Sequence, residues 1–227
     1  ENLEISTKSL EIKNFISFVR SFKNIPELFI LEKTVNKGYL IADIKLEFDE
    51  KGKVKDNYEI GGFVRDAKFN ALEKYDIQKI NFIFRYKKDD LQIDDLDFSI
   101  NNLDFKSQKL SAKKNKNNFL LSGKLNNEKI DLKKKNIDLF IKPFLPGLET
   151  TKVVFSSNNT FLFEIKKGFK LDNFELSSEM LIEQLQITNN LNLKNFFPNI
   201  KEIISLTDNR LIIKYKKDNL SLKGEGD

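Results

Sequence analysis

The sequence predicts a mainly β fold: a long twisted antiparallel sheet curled into an open groove, with a few short amphipathic helices. Three observations predict it. Apolar and polar residues alternate with a period of two along most of the chain, polar joints of hairpin length separate the alternating runs, and one strand–turn–strand unit recurs. Such alternation describes strands with one dry face and one wet face. Joints of a few polar residues connect antiparallel neighbours, whereas parallel neighbours need long crossovers.

Taken in order, the first segment has helical rather than alternating spacing. Phe15, Ile16, Phe18, Val19 and Phe22 line a helix that ends near Pro26, and the pattern resumes over residues 28–31. Strands follow at Ile44, Leu46 and Phe48, then at Tyr58, Ile60, Gly62 and Val64, with Gly61-Gly62 read as a bulge. The alternation returns at Ile80, Phe82, Phe84 and Tyr86, at Leu91 and Ile93, at Leu96, Phe98 and Ile100, at Leu103 and Phe105, and at Phe119 and Leu121. Ile137, Leu139, Phe140 and Ile141 form a second helical patch before Pro143. Strands resume at Phe161, Phe163 and Ile165, at Phe169 and Leu171, at Phe174 and Leu176, and at Leu185 and Ile187. A third helix is expected around Pro198, before the last run, Leu211, Ile213 and Tyr215. Turns are expected at 49–52, 87–90, 126–127, 156–160 and 216–219. The helices are read as covers over a sheet edge or end. The whole is one continuous fold in two stretches, 1–132 with the N-terminal helical segment and 133–227 with the other two.

The recurring unit spans 82–99, 161–177 and, in shortened form, 211–222. Each copy reads strand, Lys-Lys turn, strand. The two full copies add an acidic step, Asp94-Asp95 and Asp172-Asn173, that flips the alternation. One extra residue sends the following side chains to the opposite face unless a bulge or bend absorbs it. Irregular spacing between the copies argues against a tight solenoid.

Composition removes most catalytic chemistry. Neither His nor Cys occurs among the 227 residues, so there is no Ser-His-Asp or Cys-His nucleophile, no thiolate or imidazole for zinc and no disulfide. Asp95 and Asp97 are placed on one strand face, where paired acids serve acid–base chemistry or hold a cation, but a wet strand face that resists edge pairing explains them as well. No enzyme activity, cofactor or metal is expected. The charge is mildly basic, +5 from 39 basic and 34 acidic residues, and its signs alternate along the chain, with the densest cluster, Lys113, Lys114 and Lys116, diluted by asparagines, so no nucleic-acid partner is expected. Asn158-Asn159-Thr160 has the pattern of a glycosylation triplet. No stretch reaches the ~20 apolar residues that cross a bilayer. The first residue is Glu1 and no signal-peptide pattern precedes the fold, so the chain is expected to be a piece of a longer polypeptide.

What stands out is one strand face rich in Phe, Ile and Leu over the whole length. A sheet this long either closes into a sandwich or leaves that face open. Phe82, Phe84, Ile93, Phe98, Phe161, Phe163, Leu171 and Leu176 are the candidates to line an open face. Such a face would shelter acyl chains at about 25 cal/mol per Å² buried, with Lys side chains at its rim for lipid phosphates.

The stretches 38–48 (Gly-Tyr-Leu-Ile-Ala-Asp-Ile-Lys-Leu-Glu-Phe), 58–67 (Tyr-Glu-Ile-Gly-Gly-Phe-Val-Arg-Asp-Ala), 80–84, 91–96 and 120–125 resemble successive strands of the AsmA-like superfamily, above all its large YhdP-type members and more distantly TamB. The resemblance covers roughly 38–132, with the remainder joined through the repeat, and consists of strand and glycine placement. It implies an envelope protein of a Gram-negative bacterium, tethered to the inner membrane by an anchor outside this stretch. Its β-groove would span the periplasm and carry phospholipid to the outer membrane, with envelope partners at its ends. The alternative is a structural or adhesive surface protein with a closed sandwich core. A carboxylate-based hydrolase is a third.

Overall fold

The alternating runs become twelve strands and three short helices in the computed structural model, which describes residues 2–22, 26–55, 57–71, 75–115, 118–140, 142, 149–166, 170–188 and 203–225. In chain order these are β1 (Asn2–Ser6), β2 (Leu10–Glu11), α1 (Ile12–Phe22), α2 (Pro26–Thr34), β3 (Val35–Glu47), β4 (Glu59–Ala71), β5 (Tyr75–Lys87), β6 (Asp90–Ile100), β7 (Leu103–Asn115), β8 (Asn118–Leu132), α3 (Lys134–Phe140), β9 (Glu149–Lys166), β10 (Lys170–Thr188), β11 (Ile203–Lys216) and β12 (Asn219–Glu225). They form one antiparallel sheet in the order β1-β3-β4 through to β12, with β2 also on β3, and the sheet does not close into a barrel. The fold is mainly β, as expected. The helix expected around Pro198 lies outside the described residues, and Ile203 begins β11. Contacts group the chain into two compact units, 1–125 with 160–175 and 126–159 with 176–227.

In the first unit, strand register sorts the side chains into two unlike faces. Leu40 faces Val64, Val64 faces Phe82, Gly62 faces Phe84, Phe84 faces Ile93, Ile93 faces Leu110 and Phe98 faces Phe105. The opposite face carries Lys45 against Glu59, Glu59 against Lys87, Lys87 against Asp90, Asp94 against Lys109 and Asp97 against Lys106. Lys87 pairs with Glu59, Arg85 with Asp94 at 3.5 Å and Lys113 with Asp90 at 3.6 Å. These exposed pairs contribute little each, but opposite charges in register favour this pairing over a slipped one.

The phase flips are absorbed as the alternation demands. Asp95 in β6 and Asn173 in β10 adopt left-handed backbone (φ 51° and 48°), each at the extra residue of its repeat copy. Asp66 in β4 and Lys79 in β5 do likewise (φ 50° and 55°), so bulges occur in three successive strands, β4, β5 and β6. Each bulge increases local twist and bends its strand. Asn81 stitches them: its carbonyl accepts from the Asp66 amide at 2.9 Å, and its amide donates to Lys79 O at 2.9 Å and to Asp97 Oδ2 at 2.8 Å. One expectation is corrected here. Because Asp95 is the bulged residue, Asp94 and Asp97, rather than Asp95 and Asp97, are in register with lysines. A second correction concerns Gly61 and Gly62, which pair in regular register with Asp43 and Ala42, while the β4 bulge lies beyond Val64. Gly62 is required for another reason: a Cβ there would stand 2.1 Å from Ile41 O.

The repeat is structural as well as sequential. Lys88-Asp89 and Lys217-Asp218 both have positive φ (48° and 62°; 48° and 61°), the signature of a type I′ hairpin. In each, a tyrosine hydroxyl three residues back donates to the aspartate at 3.0 Å, Tyr86 to Asp89 and Tyr215 to Asp218. The corresponding turn at 167–169 lies outside the described residues.

Helix α1 covers part of the apolar face. Ile12 and Ile16, one helical turn apart, are buried with Val35, Leu40, Ala42, Val64, Ala67 and Ile80. Leu28 and Leu31 of α2 pack on the same cluster. Arg20 of α1 pairs with Glu32 of α2, and its guanidinium lies 5.1 Å over the Phe29 ring. The Ser17 hydroxyl, then Arg20, hold the Glu32 carboxyl below its ordinary value.

In the second unit Ile130, Leu132, Ile137, Val153 and Val154 are buried. A third correction belongs here: 126–127 and 156–160 are not turns but lie inside β8 and β9. Their polar residues satisfy one another across strands. Ser178 donates to Asn159 Oδ1 at 2.6 Å, Asn159 to Ser157 Oγ at 2.8 Å, Ser157 to Asn127, and Asn127 to Glu128 O at 2.9 Å. Ser157, Asn127 and Ser178 are buried, which such mutual bonding permits.

Candidate functional site

The apolar face of the first unit is the candidate site, and the strands build it by register alone. Phe82 and Phe84 project from β5 with ring centroids 6.2 Å apart, edge to face. Ile93 of β6 is the cross-strand partner of Phe84, and Phe98 stacks on Phe105 of β7 at 5.6 Å. Four sequence-predicted residues, Phe82, Phe84, Ile93 and Phe98, therefore share one surface. Coverage grades across it. Val64, Ala67 and Ile80 are buried in the cluster beneath α1; Phe82, Phe84 and Phe98 pack against that cluster while remaining half-buried. Leu91, Ile93, Phe105 and Leu110 are also only half-buried. Half-buried aromatic and aliphatic groups in a row are a surface that apolar matter can still occupy.

Phe161 and Phe163 form a second aromatic group in this unit, stacked at 5.6 Å, with Phe174 of β10 at 6.2 Å from Phe163. Leu171 is 66% exposed, the least covered of the candidates. Leu176 belongs to the second unit and is half-buried there. Phe105, Leu110 and Phe174 were not among the predicted lining residues. Phe105 and Phe174 had the signal, alternation with Leu103 and with Leu176; Leu110 lacked one, because it falls three residues after Ser107 and so out of phase with Leu103 and Phe105.

The hairpin end of this face is polar. Tyr86 lies against Tyr58 at 5.9 Å, Tyr86 donates to Asp89, and Lys114 Nζ stands 3.2 Å from the same aspartate oxygen. Burial, then Tyr58 and Asp89, push the Tyr86 hydroxyl well above its ordinary value, so it remains a neutral donor. Tyr86, then Lys114, hold the Asp89 carboxyl below its ordinary value.

The charged face carries a shallow depression of about 650 Å³ lined by Asp43, Lys45, Glu59, Gly61, Arg85, Lys87 and Asp90, among others. Its acids and bases alternate, and Lys87 is already paired with Glu59, so it concentrates no single charge. No helix among the described residues is long and apolar enough to cross a membrane. Comparison with family models, with curated proteins and with solved structures returns no match for this chain.

Proposed function

We propose that this chain is a non-enzymatic section of a lipid conduit that carries phospholipid acyl chains along the apolar face of its sheet. The observation that carries the reading is the half-exposed row Phe84, Ile93 and Leu110 in register across β5, β6 and β7; the opposite face is laced with paired charges around a shorter apolar row, Ile41, Phe63 and Ile83. Each acyl methylene removed from water contributes up to about 0.8 kcal/mol, and an open face collects part of that from every methylene laid on it. At the hairpin end Lys114 and the Tyr86 hydroxyl both hold Asp89, so a phosphate headgroup there would compete with that carboxylate for them. The AsmA-like resemblance points the same way and extends the proposal to a periplasmic location, an inner-membrane tether and traffic between the two membranes.

One observation favours the alternative, a sealed structural sheet: α1 and α2 already cover the part of the face on β3 and β4. A single experiment separates the two. A photo-crosslinking phenylalanine analogue is placed at Phe84, Ile93 or Phe98, and at Lys109 on the charged face as control. Phospholipid adducts at the first three and none at Lys109 support the conduit. Their absence from all four sites, with lipid-free protein recovered from envelope extracts, supports the sealed sheet.

A further inference from the structure

We infer that helix α2 walls the apolar row on one side, with Ile30 as the side chain that meets an acyl chain lying on β5 and β6. This deepens the lipid-conduit reading and rests on it. The seating of the two helices gives the direction. α1 touches β2 and β3, whereas α2 touches β3 and β4, so α2 is the helix nearer β5. Leu28 and Leu31 of α2 pack down on the buried cluster. Phe29 turns toward α1, where the Arg20 guanidinium lies 5.1 Å over its ring, and Glu32 pairs with the same arginine. Successive helical side chains point about 100° apart, so Ile30 falls on the flank that faces away from α1. That flank looks out over β5 and β6. Ile30 is 43% exposed, and Phe82, Phe84, Ile93 and Phe98 before it are half-buried. Both helices and β3 to β6 belong to the first unit.

The chemistry of this corner selects its occupant. Ile30, Phe82, Phe84, Ile93 and Phe98 are all hydrocarbon, and β5 and β6 are each paired along both edges, so the backbone beneath is already bonded. The Thr34 hydroxyl, one turn after Ile30, lies 3.0 Å from both Ile30 O and Leu31 O and is bonded within the helix. A peptide laid here would leave its own amides and carbonyls unmatched, whereas an alkyl chain has none to match. Since α1 and α2 cover the face on β3 and β4, the acyl path of this unit ends against Ile30 rather than running on beneath the helices.

The test places a photo-crosslinking phenylalanine analogue at Ile30, Phe29 or Phe84 and irradiates each protein with vesicles of phosphatidylethanolamine and phosphatidylglycerol. Phospholipid adducts are expected from Ile30 and Phe84 and not from Phe29, with the new bond mapped to the acyl chain. In the unlabelled chain, Ile30→Gln is expected to lower the phospholipid retained per protein about three- to tenfold and Phe29→Gln to leave it unchanged. Neither residue belongs to the buried cluster, so both variants should keep the wild-type urea midpoint. Adducts from Phe84 without Ile30, equal labelling of Ile30 and Phe29, or undiminished lipid in Ile30→Gln overturn the inference and leave the conduit reading standing. No adduct from Phe84 overturns that reading, and the inference with it.

Discussion

Adjacent glycines in β4 give opposite expectations on substitution to alanine. A Cβ on Gly62 would stand 2.1 Å from Ile41 O and 2.9 Å from Ala42 Cα, both backbone of the neighbouring strand. Real Cβ atoms essentially never approach closer than 3.0 Å, so β3 and β4 would have to part by about 0.9 Å at the Ala42–Gly62 pair. That pair sits between Leu40–Val64 and Ile44–Ile60, and Gly62 is also held by Phe84 on the other side. Overpacking of this kind costs about 1–3 kcal/mol, and backbone has fewer ways to yield than a side chain. At Gly61 the nearest atoms to a new Cβ are Arg85 Cγ at 3.6 Å and Phe84 O at 3.8 Å, ordinary contacts. There the substitution removes unfolded-state freedom, a gain of about 0.5–1 kcal/mol. Urea denaturation followed by far-ultraviolet circular dichroism reads both. With a slope of about 2 kcal/mol/M, Gly62→Ala is expected to lower the midpoint by about 0.5–1.5 M and Gly61→Ala to leave it unchanged or raise it by up to about 0.5 M. Equal shifts for the two, or a more stable Gly62→Ala, would refute the close-approach argument.

Asn81→Ala removes three hydrogen bonds at the bulges and is expected to cost about 1–3 kcal/mol, with the Asp66 amide exchanging at least about tenfold faster in native-state hydrogen exchange. Ile16→Ala empties the contact between α1 and the sheet and should cost about 2–4 kcal/mol in urea melts. On the acid side, the Lys87 ammonium holds the Glu59 carboxyl below its ordinary 4.5. This contribution is therefore present above about pH 4.5 and is lost as pH falls through the lowered folded-state value; Lys87→Gln should flatten that part of the midpoint-against-pH curve. On the alkaline side the Tyr86 hydroxyl is raised above 10, so its contribution holds below pH 10 and is lost as pH rises through the folded-state value; ultraviolet titration of Tyr86→Phe should lack the latest-ionising phenol.

Local patterns were legible without coordinates. Alternation named the strands and assigned Phe82, Phe84, Ile93 and Phe98 to one face, because a strand's side-chain period is fixed by its backbone. The extra residue in each full repeat copy required an absorbing feature, and left-handed Asp95 and Asn173 are where it falls. The Lys-Lys turns and the helical spacing of Phe15, Ile16, Phe18, Val19 and Phe22 were equally local, whereas Ile12 joined the buried side of α1 only in the structure. The misread positions share a different property. Asn127 and Ser157 look like turn residues in isolation, yet they sit buried inside strands because each finds its partner 30 residues away. Gly62 looks like a bulge until the carbonyl of Ile41 is seen against it. The sequence thus determined where the alternating strands run and which of their faces is apolar, but not the strand stretches that polar residues such as Asn127 and Ser157 fill. Only the tertiary structure decided which part of that face α1 covers and which part stays half-exposed, since coverage depends on contacts between residues that no short-range pattern connects.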